Sequence, residues 1–582
     1  MYIGKIYIPS GAGVEIGEFQ FTLSEIAKEI EIGNFVTAET SEGNVVGIVS
    51  SMKTIGIDND PILASLDIKG SASREVILVS ALVVYSKTLR SIRSGQVRLS
   101  TSSEIQLSTN LSKNNWPIPA GAVNNLGEYT PIYLDGYSLL GPESAHINVG
   151  GLSGQATKSS YISFLIKSVL SHSNNNKISF LVFNVKGDDF TNMDKITQKS
   201  LSEEDYYLYK NLNIDPTPYS NFNLFAPAMK GNEDIANSSR DDAKPICWDL
   251  RTIWPNIKNF LGENLYSDEK VVSFLSDFAN EYIYTTNPAK RISSFEEIDF
   301  WFNNLLKNDD NNEQSIVWKS HHRATLWRIR RMFNGLLLKS QGLITNKPNI
   351  NHGVSHNDFK EGSVNVIDIS MLSPDIQAIV MGKIINDLLR KFNNSEINID
   401  NLVIVADELN TFAPSVSSEF NNIRKLLHNL STQGRYAGIS LWGAAQKLSK
   451  IDEHIRDNAA TRAVGLLSEG ELNSGAYGNF PRGTKEKITK MERGELMISH
   501  TLFRNPITIR FPKPAWSMGM KKNITNSKLN NDFQDLDEVI LDELLITNNG
   551  EDLNTKFNKT FNNIDKLLKE RNNFDPDNPF RI

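Results

Sequence analysis

Through the first hundred or so residues the apolar positions gather in short β-rich runs separated by turn residues. They include "KIYIPSGAG", "GEFQFTL", "NFVTAETSEGNVVGIVSSM", "EVILVSALVVYS" and "QVRLSTSSEIQLS". Such runs, rich in β-branched and aromatic residues and broken by turns, predict short β-strands. Glu42-Gly43-Asn44, between β-branched runs, predicts a hairpin. Residues 1–115 are therefore expected to form a small β-barrel or sandwich. The prolines and glycines from "NNWPIPAG" to "LLGPES" predict a linker over 116–145.

From His146 the pattern changes. "HINVG", "ISFLVFNV", "VNVIDI", "LVIVADE" and "GISLWGAAQ" are continuous apolar runs separated by helix-period segments. Runs without alternation fit strands buried on both faces of a parallel sheet, so 146–517 is expected to be an α/β unit. Residues from about 188 to 360 are polar, Asn- and Asp-rich and mostly helical in pattern, and predict an inserted helical subdomain. In the acid-rich tail, 518–582, Phe557, Phe561, Ile564 and Leu568 fall at helical spacing and predict an amphipathic helix, a brace for a neighbouring subunit or a frayed end.

Composition narrows the class. At 582 residues the chain is too long for one core. Hydrophobic content of 40% and charged content of 22% are those of an ordinary globular protein. Cys247 is the single cysteine, which excludes an internal disulfide or a cysteine-rich zinc site. No apolar run reaches about 18 residues, and "YIGKIYI" after Met1 lacks the form of a signal peptide, so a cytoplasmic protein without a membrane span is expected. A net charge of −7 argues against general coating of nucleic acid; DNA would need a local basic lining.

The candidate chemistry begins at "HINVGGLSGQATKSSYISFLIKSVL". Strand, glycine-rich loop, then a helix opening at Lys158-Ser159 is the context of a phosphate loop, with backbone N–H groups and a lysine facing phosphates. The usual G-x-x-x-x-G-K-[ST] spacing is broken: Thr157 replaces the last glycine, and Gly151 lies one position too far upstream. "NLVIVADELNTFAP" ends an apolar strand in Asp407-Glu408, one carboxylate for a Mg²⁺ shell and one to polarise a water, or else surface acids capping a buried strand. Gln446 ends another strand and is either a γ-phosphate sensor or a satisfied surface amide. Arg462, in "IRDNAATRAVG", reaches a phosphate or forms a salt bridge.

Together "NVGGLSGQATKSSY", "VFNVKGDD", "VIVADELNTFAP", "GRYAGISLWGAAQ", "DNAATR" and "GELMISHTLFRNPITIRFPKPAW" resemble the HerA branch of the HerA–FtsK ATPases. The resemblance runs over about 1–517 and implies a RecA-like P-loop ATPase core behind a β-barrel. It implies a live site for ATP and Mg²⁺, with Gly151, Ser153, Gly154, Gln155, Ala156, Thr157, Lys158, Ser159 and Ser160 around the phosphates. By position, Ser159 and Asp407 would hold Mg²⁺, Glu408 would be the base and Gln446 the sensor, with Arg435 and Arg462 as arginine fingers, one acting in trans. It also implies a homo-hexamer moving DNA through its pore, with weak candidate contacts around "KTLRSIRSGQ". The loop G-x-S-G-x-A-x-K-[ST] is similar to a bacterial subgroup that pairs its barrel with a sirtuin-like NADase or a nuclease in anti-phage defence. A repair translocase with a NurA-type nuclease, and an ATP-binding scaffold with little motor activity, are the alternatives. A conjugation-type coupling ATPase is disfavoured by the lack of a membrane span.

Overall fold

The computed structural model describes residues 2–8, 16–24, 27, 29–56, 75–88, 90–152, 157–257, 268–307, 316–340, 342–345, 347–416 and 421–519. The β-rich runs at the start of the chain form a closed antiparallel barrel. Its strands are β1 (Tyr2–Ile6), β2 (Glu18–Leu23), β3 (Phe35–Thr40), β4 (Gly43–Gly56), β5 (Glu75–Tyr85) and β6 (Gln96–Leu99), joined in the order β1-β2-β5-β4-β3-β6. Closure leaves no free edge. Phe19, Phe21, Val36, Ala38, Val79, Ala81 and Val97 fill the interior. The expected hairpin joins β3 to β4, with Thr40 opposite Gly43, so the turn falls on Ser41-Glu42.

The stretch expected to be a linker differs. It carries the strands β7 (Pro117–Asn125) and β8 (Glu128–Asp135), which pair as a hairpin and extend the next sheet. The prolines are tolerated because Pro117 opens β7, Pro119 borders a register shift and Pro131 lies on the edge strand β8, where a missing N–H costs little. Asn125 also ties the barrel down: its side-chain oxygen accepts from the Phe35 N–H at 2.9 Å and its amide donates to the Phe35 carbonyl at 3.2 Å.

The large sheet is built on β9 (Ile147–Gly150), β10 (Ile178–Asn184), β11 (Phe222–Met229), β12 (Asn232–Ala236) and β13 (Lys244–Trp248). A separate two-stranded ribbon, β14 (Ile316–Trp318) and β15 (His321–His322), follows. Then come β16 (Asn351–His352), β17 (Val364–Asp368), β18 (Asn401–Ala406), β19 (Ile439–Ala445), β20 (Thr461–Val464), β21 (Glu495–His500) and β22 (Ile507–Arg510). Their order is β16-β13-β11-β17-β10-β18-β19-β9-β20-β21-β22-β7-β8, with β12 on β11. From β13 to β20 every neighbour is parallel; the flanks are antiparallel. This is an α/β fold with a RecA-like core, in which β19 separates the loop strand β9 from the acidic strand β18.

Continuous apolar runs are needed because both faces are covered. Leu181 and Phe183 of β10 pack with the helices Pro374–Asn393 and Asn421–Gln433, through Ile384, Ile385 and Leu427. Phe180 and Val182 pack on the other side with the helix Lys158–Ser171, through Ile162, Leu165 and Val169. The 188–360 insertion is only partly helical. The helices Glu203–Asn211, Glu269–Phe278, Phe295–Leu306 and Arg323–Lys339 are present, but β11 and β13 join the parallel sheet. The apolar run of β11 is interrupted by Asn223 and Pro227, and β13 has five residues with Pro245 inside, so periodicity does not expose them. After β22 the chain crosses back, burying Trp516 against Tyr219 with ring centroids 5.0 Å apart. The expected tail helix lies outside the described residues.

Candidate functional site

In a parallel sheet the carboxyl ends of the strands share one edge, and the crevice beyond them is where ligands bind. Here β9 ends at Gly150, β18 at Ala406, β19 at Ala445 and β10 at Asn184. The residues that follow converge. Lys158, first residue of its helix and 8% exposed, places Nζ 3.5 Å from Glu408 Oε1. Gln446 donates from Nε2 toward the same oxygen at 3.5 Å. Both contacts are at the long limit of a hydrogen bond, so the carboxylate is approached but not closed off.

Glu408 takes φ 49°, ψ 47°, left-handed values costing a non-glycine residue about 1 kcal/mol. The turn starts the short helix Leu409–Phe412 directly from the strand and carries the carboxylate toward Lys158. Asp407 is 5% exposed. Burial pushes its carboxyl up to about 7, Glu408 and Asp189 add to this, and Lys158 opposes it. Ser159 donates its hydroxyl to Asp189 Oδ2 at 2.7 Å. The edge thus gathers three carboxyl groups around one lysine, and the buried one resists ionising.

That imbalance suits a cation. The oxygens of Ser159, Asp407, Glu408 and Asp189 are hard donors, the kind Mg²⁺ takes. Among the described residues no three acidic or imidazole side chains form a ready metal cage. Mg²⁺ does not need one, since it is commonly held by one or two carboxylates together with phosphates and water.

The expected site residues divide. Lys158, Ser159, Asp407, Glu408 and Gln446 come together at the edge. Gly151 lies beside them, with its Cβ position 3.8 Å from Lys158 Cγ. Ser160 is buried in the helix, its carbonyl accepting from the Ser163 hydroxyl at 2.9 Å. Ser153, Gly154, Gln155 and Ala156 lie outside the described residues. Thr157 has an evident accommodation: a Cβ on Gly465 would fall 2.8 Å from Thr157 Cγ2. The threonine replacing the loop glycine occupies space that Gly465 leaves empty.

Two of the expected residues make other contacts within their own chain. Arg435 precedes β19 while Gln446 follows it, so seven strand residues, roughly 23 Å, separate it from this edge. It donates to the Glu143 carbonyl at 3.2 Å and to the Tyr436 hydroxyl at 2.7 Å. Arg462 pairs with Asp457 at 2.9 Å and donates toward the Ala476 carbonyl at 3.4 Å. Its fate is the salt bridge. Asp189 was missed as a site residue; its signal was the Asp188-Asp189 pair just past the end of β10, in "VFNVKGDD".

The chain is 22% identical over 296 residues to the DNA double-strand break repair helicase HerA of Pyrococcus furiosus, a match covering 45% of this chain and 49% of that protein. The chain thus spans about half the length of this curated relative. No protein-family model matches. VirB4 of Thermoanaerobacter pseudethanolicus superposes with a TM-score of 0.42 at 11% identity, over 69% of this chain and 97% of that one. The bacterial conjugative coupling protein TrwBdeltaN70 gives 0.42 at 10% identity, over 73% and 95%. At those scores the likenesses add nothing to the architecture that the strand order establishes. No helix among the described residues is long and apolar enough to cross a membrane.

Proposed function

We propose that the chain is an ATP-hydrolysing DNA translocase of the HerA type. The observation that carries this is the meeting of Lys158, Glu408 and Gln446 on one carboxylate oxygen, beside Asp407 and Ser159. The similarity to the HerA helicase supports the same reading. Lys158 would take the β- and γ-phosphates, at a helix N-terminus whose dipole favours anions. Bound Mg²⁺ would neutralise charge building on the phosphates. Ser159 and Asp407 would hold it. Glu408 would draw the proton from the attacking water, and Gln446 would orient that water.

The chain works as a homo-hexamer with DNA in its pore, which reconciles a net charge of −7 with a nucleic-acid track. Arg435, remote from its own chain's site, would serve a neighbouring subunit. The barrel is the docking face for an effector, a sirtuin-like NADase or a nuclease, in anti-phage defence; the loop variant supports this branch over repair with a NurA-type nuclease. The test is ATP turnover with and without duplex DNA. DNA-stimulated hydrolysis that disappears in Glu408→Gln supports the motor; an effector switched on equally by that variant supports a nucleotide-binding scaffold.

A further inference from the structure

Ser159 sits at the second position of its helix, and its hydroxyl carries one hydrogen and two lone pairs. A free hydroxyl turns, and only some orientations offer a lone pair to a metal. Here the hydrogen is committed, to Asp189 Oδ2 at 2.7 Å.

Asp189 is itself held. It lies in the turn after β10, which Asn184 pins by donating to the Gly187 carbonyl at 2.7 Å and to Asp368 Oδ1 at 2.9 Å. The next residue, Phe190, is fully buried. On the far side the returning chain passes at Gly519, φ +52°, where a Cβ would stand 3.4 Å from Asp189 Oδ1. The turn that carries Asp189 is therefore pinned, and its carboxylate sits against Ser159 without a ligand.

We propose that Asp189 is a positioning residue of the nucleotide site, taking the Ser159 hydrogen so that the oxygen presents its lone pairs to a phosphate-bound divalent cation. The geometry is that of an outer partner orienting a metal ligand, a role usually worth tenfold or more in metal affinity. The inference rests on the nucleotide reading of the previous subsection.

The experiment titrates a non-hydrolysable ATP analogue into the full-length chain, once with Mg²⁺ and once with EDTA. Wild type gains affinity from Mg²⁺. Asp189→Ala loses about tenfold of the affinity measured with Mg²⁺ while its affinity in EDTA is unchanged, and Asp189→Asn loses less. In a Ser159→Ala background, Asp189→Ala has no additional effect, because the two act as one unit. Thermal melts identify variants that fail to fold, and Asp189→Asn, nearly the same shape, then carries the test. An equal loss in EDTA, an unchanged gain from Mg²⁺, or an additional loss in the Ser159→Ala background overturns the inference while leaving the nucleotide reading intact. Absence of any nucleotide binding by wild type overturns both.

Discussion

Two clusters of charge, one in the barrel and one at the sheet edge, are built from similar parts to opposite effect. In the barrel, Arg98 reaches Glu39 at 2.6 Å and Glu104 at 2.8 Å. Burial works to raise the Glu104 carboxyl, but the Arg98 hydrogen bonds, the Thr101 N–H and the Thr37 hydroxyl outweigh it and hold it down at about 2. Every group there prefers its charged form. At the sheet edge Lys158 stays 3.5 Å from Glu408, and Asp407 is pushed up to about 7. The first cluster is finished; the second lacks positive charge. An arrangement that is costly alone is what a binding site keeps and a brace does not, which makes the sheet edge the candidate site.

The largest expected effect that sharpens this contrast is at Glu408. Glu408→Gln keeps the shape and removes the proposed base, so ATP turnover should fall about 10³-fold or more in a steady-state assay. Arg98→Ala should leave turnover per folded chain unchanged and cost about 2 kcal/mol in denaturant unfolding, from lost charge-assisted bonds. Equal damage to turnover by both substitutions would break the comparison.

Asp407 gives the pH-dependent test. Its folded pKa is raised, so between about pH 4 and 7 the folded state keeps a proton that the unfolded state has released, and stability falls as pH rises. Melting without nucleotide, we expect Asp407→Asn to gain on wild type by at least about 1 kcal/mol on going from pH 5 to pH 8. Cation binding needs the ionised form, so Mg²⁺-nucleotide affinity in wild type should be about tenfold weaker at pH 6 than at pH 8. A flat pH profile would contradict the assigned cause. The smallest effect is at the loop: Gly465→Ala should crowd Thr157 and weaken nucleotide binding by about 1 kcal/mol, and Thr157→Gly should restore it.

Much of the site was legible because strand ends announce themselves. Apolar runs ending in Gly150, Asp407 and Gln446 locate one sheet edge once the strands are parallel, and Lys158 follows from the loop. Asp189 was not legible as a partner, since its role depends on a turn bringing it to Ser159 from 30 positions away. The sequence could not place Arg435 and Arg462, because flanking an apolar run does not say which end of the strand faces the crevice. In the fold, β-rich runs between turn residues exposed the barrel, whereas β7, β11 and β13 were masked by the prolines at or inside each strand.

The most direct test of the central claim is calorimetric titration of a non-hydrolysable ATP analogue with Mg²⁺ into wild type and Lys158→Ala at pH 8. The account requires one nucleotide per chain in wild type and affinity at least about 100-fold weaker in the variant. Equal binding by the two proteins, or none by wild type, would contradict it.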